Sequence, residues 1–223
     1  MYLPPAMVVG ISYPAEEGFS GFYGRRNLDF FGPWDMQDEG GRKIQEVYDQ
    51  LVVGEGGEPR PIPVGGASRF MEFLRDELLP ALAAELPVDI EGRHVLMGAS
   101  SAGHFVLRAI YDPRSPFRGY VCVSPALAGD PGAIERLEAE YAAGHDDLDA
   151  AVYLCAGTGE LGVLAHEGLH PFHVGERGLA QAQCARSAQR EFPQVHAEAD
   201  AALFIPVEQS GMGEVADDAV RRR

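Results

Sequence analysis

In this 223-residue chain 18 Lys and Arg face 34 Asp and Glu, a formal net charge of -16, and so acidic a surface repels phosphate backbones and anionic lipid, which speaks against nucleic acid or a membrane as partner. Hydrophobic residues at 46% and charged residues at 23% exclude general disorder and lead us to expect one domain over 1–223 with a real core. Three cysteines (Cys122, Cys155, Cys184) without paired spacing argue against a disulfide scaffold or a cysteine zinc site; the lack of a leader-like start or a bilayer-length apolar run makes a cytoplasmic protein the default expectation.

Along the chain, Ala6 to Ile11 is a short apolar run after Pro4-Pro5, the profile of a buried parallel strand, and it ends at Ser12-Tyr13-Pro14. From Ala15 to Gly66 the chain is rich in Gly, Pro and charge, and only Ile44 to Val53 is periodic, so a long irregular excursion is expected. Phe70, Leu74, Leu78, Ala81 and Leu82 then fall at helical spacing, which predicts an amphipathic helix over Ala67 to Leu86, kinked at Pro80. A strand from Arg93, a helix over Ser101 to Tyr111 and a strand over Gly119 to Ser124 follow. Asp130-Pro131 opens a further helix that Gly144 stops, and Ala150 to Ala156 is the next apolar run. A Gly/His-rich stretch leads to a helix over Glu176 to Phe192, a last strand over Val195 to Val207 and a short helix around Val215 to Val220. Alternation of this kind predicts an α/β fold with a mostly parallel sheet and flanking helices.

The chemically telling stretch is Gly98-Ala99-Ser100-Ser101-Ala102-Gly103, set between the strand and the helix. A serine on such a turn needs small neighbours, because a side chain there would strike adjacent backbone. That makes Ser100 the candidate nucleophile and the Ser101 amide, at the start of the helix, a candidate oxyanion donor. A plain Gly/Ser turn before a helix is the alternative. In a parallel sheet ligands bind beyond the carboxyl ends of the strands, so the loops after each strand are the place to look. Those loops carry Ser12 and Tyr13, then Ser100, then Ser124-Pro125, then Gly157-Thr158-Gly159-Glu160. Glu160 sits where the acid of a Ser–acid–His order belongs, a solvated glutamate being the other reading.

Taken together, Leu3 to Ile11, Arg26-Asn27-Leu28-Asp29, Gly65-Gly66-Ala67-Ser68-Arg69-Phe70, Gly98 to Gly103, Ser124-Pro125-Ala126-Leu127 and Ala156 to Glu160 occur in one family's order. The chain resembles the enterochelin-esterase and esterase D-like branch of the α/β-hydrolases. The resemblance implies a three-layer α/β-hydrolase-like sandwich, a serine esterase acting on a small-molecule ester without a cofactor, Ser100 as nucleophile, Ser101 in the oxyanion hole and Glu160 as triad acid.

Two departures stand out. The family places a histidine base in a turn after its final strand, and Gly211 stands about there. The family also has earlier strands, one of which would lie between the Met7 and Val95 strands and supply the second oxyanion donor. Buried backbone cannot stay unpaired. Either the Met7 strand pairs directly with the Val95 strand, through a Val8–Leu96 ladder that puts Ser12 in the oxyanion position, or another chain supplies the strand, as in a homo-oligomer.

For the base, His166, His170 and His173 lie in the loop after the acid, on the correct side of the sheet, whereas His94, His196, His104 and His145 are badly placed. The same stretch, His166-Glu167-Gly168-Leu169-His170, fits the zinc-binding His-Glu-x-x-His pattern, although Gly162, Gly168 and Pro171 work against the helix that pattern needs. Besides the esterase, two readings stand: a catalytically impaired member of the fold with a binding or assembly role, and a zinc-dependent hydrolase.

Overall fold

The computed structural model of the protein describes residues 6–88, 93–127, 132–156 and 201–206, the last six as backbone. Apolar runs form β1 (Ala6–Ile11), β2 (His94–Ala99), β3 (Phe117–Val123), β4 (Ala151–Cys155) and β5 (Ala201–Pro206), all in one sheet of order β1-β5-β2-β3-β4. β2, β3 and β4 pair in parallel, and β5 is antiparallel to both β1 and β2. Four strands therefore run one way and one runs against them, a mostly parallel α/β sheet with helices packed on it.

β5 corrects the expected pairing of β1 with β2. Val8 pairs with Phe204 and Leu96 with Leu203, so no ladder joins Val8 to Leu96. The open backbone between β1 and β2 is satisfied by a strand from the same chain, and a second chain is not required at that gap.

Register sorts the side chains onto two faces. Met7, Val9, Ile11, Leu96, Tyr120, Cys122, Val152 and Leu154 belong to the main core, where Leu96 and Cys122 are 0% exposed. Val8, Val95, Met97, Val121 and Tyr153 lie on the opposite face, where Val8 is 57% and Tyr153 47% exposed. β1 is thus an alternating, half-exposed strand and not the buried one its continuous apolar run predicts.

The excursion from Ala15 to Gly66 is not irregular. It holds α1 (Gly18–Phe30) and α2 (Glu39–Gly54). α1 escapes a periodicity search because its buried residues are Ser20, Gly24, Asn27 and Phe30, a stripe of mostly small and polar residues at helical spacing. Asp38 caps α2, its carboxylate accepting the Gly41 N–H at 2.6 Å.

The helix predicted around Pro80 runs as α3 (Ala67–Glu72), a wider π-helical turn over Phe73–Leu78 and α4 (Leu79–Glu85). Proline lacks the donor for an i−4 bond and its ring crowds that carbonyl, so the turns before Pro80 open, with the Leu79 N–H donating to the Leu74 carbonyl five residues back. Between β2 and β3 runs α5 (Ser101–Ile110), with Ala102 through Leu107, Ala109 and Ile110 buried between the sheet and the aromatic layer of Phe30, Phe31 and Phe70. α6 (Ala133–Ala142) carries the chain from β3 to β4. The segments predicted as a helix over Glu176 to Phe192 and around Val215 to Val220 lie outside the described residues.

Candidate active site

Ser100 is the single residue between β2 and α5, at φ 55° and ψ -120°. A residue with a Cβ rarely adopts such a backbone, and the neighbours explain how it is held. The Ser100 N–H donates to the Val123 carbonyl at 3.0 Å, continuing the β2–β3 ladder past its end. Its carbonyl accepts from the His104 and Ala126 N–H groups, each at 3.0 Å, the first starting α5 and the second tying in the loop after β3.

The two glycines of the motif have separate steric reasons. A Cβ on Gly98 would stand 2.5 Å from the Ala102 carbonyl oxygen, where strand and helix nearly touch. On Gly103 it would meet the Pro125 Cα and the Val123 carbonyl oxygen, both at 3.1 Å, so this glycine lets α5 lie against the end of β3. Ser100 is exposed and Ser101 partly so, which leaves the turn open to a ligand.

The sequence-predicted residues are only partly brought together. Ser100 and Ser101 share the turn at the carboxyl edge of β2. Ser12 does not stand beside them: Ile11 is opposite Ala201, which is opposite Gly98, so two strand spacings, roughly 10 Å, separate the β1 loop from the Ser100 turn. The insertion of β5 thus removes the premise on which Ser12 was placed as an oxyanion donor. Glu160, His166, His170 and His173, and with them the His-Glu-x-x-His stretch, lie outside the described residues.

Sequence reasoning missed two features near this edge. Ser124 follows β3 with φ 43°, and Ser100 and Ser124 are the non-glycine residues with positive φ among those described. Tyr13 donates its hydroxyl to Asp29, in the last turn of α1, at 3.0 Å. Burial pushes the Asp29 carboxyl above its usual range and the Tyr13 bond opposes that shift. The signal for this pair was present as Tyr13 in the β1 loop and Asp29 in the Arg26-Asn27-Leu28-Asp29 motif.

His104, one helical turn after Ser100, is buried as its place on the helix predicts. It is 0% exposed, its ring is 4.6 Å from that of Phe31, and neither ring nitrogen has a well-formed hydrogen bond. Burial, with the Arg108 charge added, holds it neutral and lowers its pKa to about 3, with only the Ala126 backbone pulling the other way. His104 is a packed residue and not a base, as its place on the helix predicts. His94 opens β2 at the far edge and is 1% exposed, and His145 stacks on Tyr141 at 4.0 Å beside a cavity of about 150 Å³ at that same far edge. Cys122 donates its thiol to the Gly103 carbonyl at 3.2 Å and burial pushes it up to about 12, so it is an inert core thiol. No group of metal-ligating side chains and no helix long and apolar enough to cross a membrane occurs among the described residues.

The family model described as "Putative esterase" matches residues 35–202, which is 168 of 223 residues. A siderophore enterobactin esterase of Emericella nidulans is 30% identical over 124 residues, 54% of this chain and 36% of that protein. A siderophore triacetylfusarinine C esterase of Aspergillus fumigatus is 31% identical over 67 residues, 30% of this chain and 23% of that protein. The chain thus spans about a quarter to a third of the length of these relatives. Among solved structures, siderophore hydrolase EstA from Aspergillus nidulans is 25% identical with a TM-score of 0.46, over 64% of this chain and 43% of that one. The BES protein from Bacillus cereus is 19% identical with a TM-score of 0.47, over 67% and 55%. A strand–serine–helix turn in a mostly parallel α/β sheet and a family match over three quarters of the sequence lead to one assignment: the chain belongs to the Esterase family, whose fold is that of the α/β-hydrolases.

Proposed function

We propose that the protein is a serine hydrolase of carboxylic esters acting through Ser100. The observation that carries this reading is the Ser100 backbone at φ 55° and ψ -120°, strained and exposed between β2 and α5 and flanked by the two glycines that the turn requires. The Ser100 Oγ attacks the ester carbonyl as a base takes its proton, and the tetrahedral oxyanion is held by the Ser101 N–H at the positive end of α5. The base then protonates the leaving alcohol, and water, deprotonated by the same base, releases the acid and restores Ser100.

For the acid we propose Glu160, and for the base one of His170, His173 and His166. Chain connectivity supports this assignment. β4 ends at Cys155, whose carbonyl accepts the Ser124 N–H at 2.7 Å, and β5 begins at Ala201, opposite Gly98. The 45 residues between leave and return at the edge that carries Ser100, on either side of it, and hold all four candidates. The siderophore esterases among the relatives make a siderophore-type ester a candidate substrate class. Hydrolysis of p-nitrophenyl acetate by wild type and Ser100→Ala tests the reading. It predicts turnover that falls by at least about a thousandfold in the variant. Equal rates would contradict it, and no turnover in either would contradict it and favour the binding or assembly role suggested by Gly211 at about the position of the family's histidine.

A further inference from the structure

Ser100 has a neighbour that the proposed chemistry leaves unused. The β2–β3 register pairs Ala99 with Val123, so Ser124 stands beside Ser100 at the next strand end, about 5 Å away across one strand spacing. Both serines carry positive φ, 55° and 43°, where glycine is the cheaper residue. The bonds that hold Ser124 in place are backbone bonds: its own N–H donates to the Cys155 carbonyl at 2.7 Å, and the Ala126 N–H, two residues on, donates to the Ser100 carbonyl at 3.0 Å. Glycine would make the same bonds without the strain. Ser124 is half-buried, at the edge where ligands bind in a sheet of this class.

We infer that Ser124 is a substrate-binding residue, its hydroxyl hydrogen-bonding a polar atom of the ester while Ser100 attacks the carbonyl. Backbone strain is kept at this position because a glycine would carry no hydroxyl. The inference rests on Ser100 being the nucleophile.

The experiment measures kcat, KM and Tm with p-nitrophenyl acetate for wild type, Ser100→Ala, Ser124→Gly and Ser124→Ala. Ser124→Gly should melt about 2 to 4 °C higher as strain is released, yet lose about tenfold in kcat/KM, mainly through KM. Ser124→Ala should lose activity to the same extent with its Tm unchanged. A Ser100-dependent wild-type activity that neither Ser124 variant alters would overturn the inference alone, as would losses that track a lowered Tm in both. Wild type and Ser100→Ala equally inactive would overturn the nucleophile reading, and this inference with it.

Discussion

The β2–α5–β3 unit and the β1–β5 side of the same sheet obey different rules. In the first, both glycines of the turn have a local steric reason: Gly98 clears the Ala102 carbonyl, Gly103 clears Pro125, and α5 lies almost wholly buried above Leu96. In the second, β1 is half-exposed and finds its partner in a strand that begins 190 residues after β1 ends, running the opposite way. The first unit is specified by contacts between consecutive elements of the chain and the second by a pairing that local pattern cannot report. The candidate chemistry sits in the first, where the backbone is most tightly determined.

Substitutions should break the two sides unequally. The largest effect is expected at Gly98→Val, because the atom it strikes is backbone at 2.5 Å and cannot rotate away; a cost above about 3 kcal/mol, seen as loss of the cooperative unfolding transition, is the outcome. Next, Leu96→Ala removes a side chain that is 0% exposed and should cost about 2 to 5 kcal/mol in denaturant unfolding. An acid effect follows from His104. Its folded pKa of about 3 lies below the ordinary 6.5, so its contribution to stability is intact above pH 6.5 and is lost as pH falls from there toward 3. Between pH 8 and pH 5 this group alone should remove roughly 2 kcal/mol, and His104→Leu should flatten that part of the profile. The smallest effect belongs to β1: Val8→Ala, at a residue 57% exposed, should change stability by no more than about 0.5 kcal/mol. A Val8→Ala cost equal to that of Leu96→Ala would erase the contrast between the two sides.

The sequence reading was strongest where the signal was a short run with its own punctuation. β1 and β4 fall on the predicted apolar runs, and α5 starts at Ser101 as the turn before it requires. α1 was invisible because its inward stripe is Ser20, Gly24 and Asn27, residues that pack closely without looking hydrophobic. The place of β5 was equally hidden, since strand order depends on which edges remain open after the other strands have paired. At the site, Ser100 was legible because its turn needs glycine at fixed offsets, whereas Ser124 was not, because a positive φ at serine leaves no compositional trace. The expected placement of Ser12 failed for the same non-local reason as the Val8–Leu96 ladder.

The central claim is that Ser100, presented on the strained turn, is a covalent nucleophile. Its most direct test is incubation of the protein with a fluorophosphonate, followed by peptide mass spectrometry. A single adduct on the peptide containing Ser100, absent from Ser100→Ala, is the predicted result. An unlabelled protein, or an adduct on another serine that persists in Ser100→Ala, would contradict it.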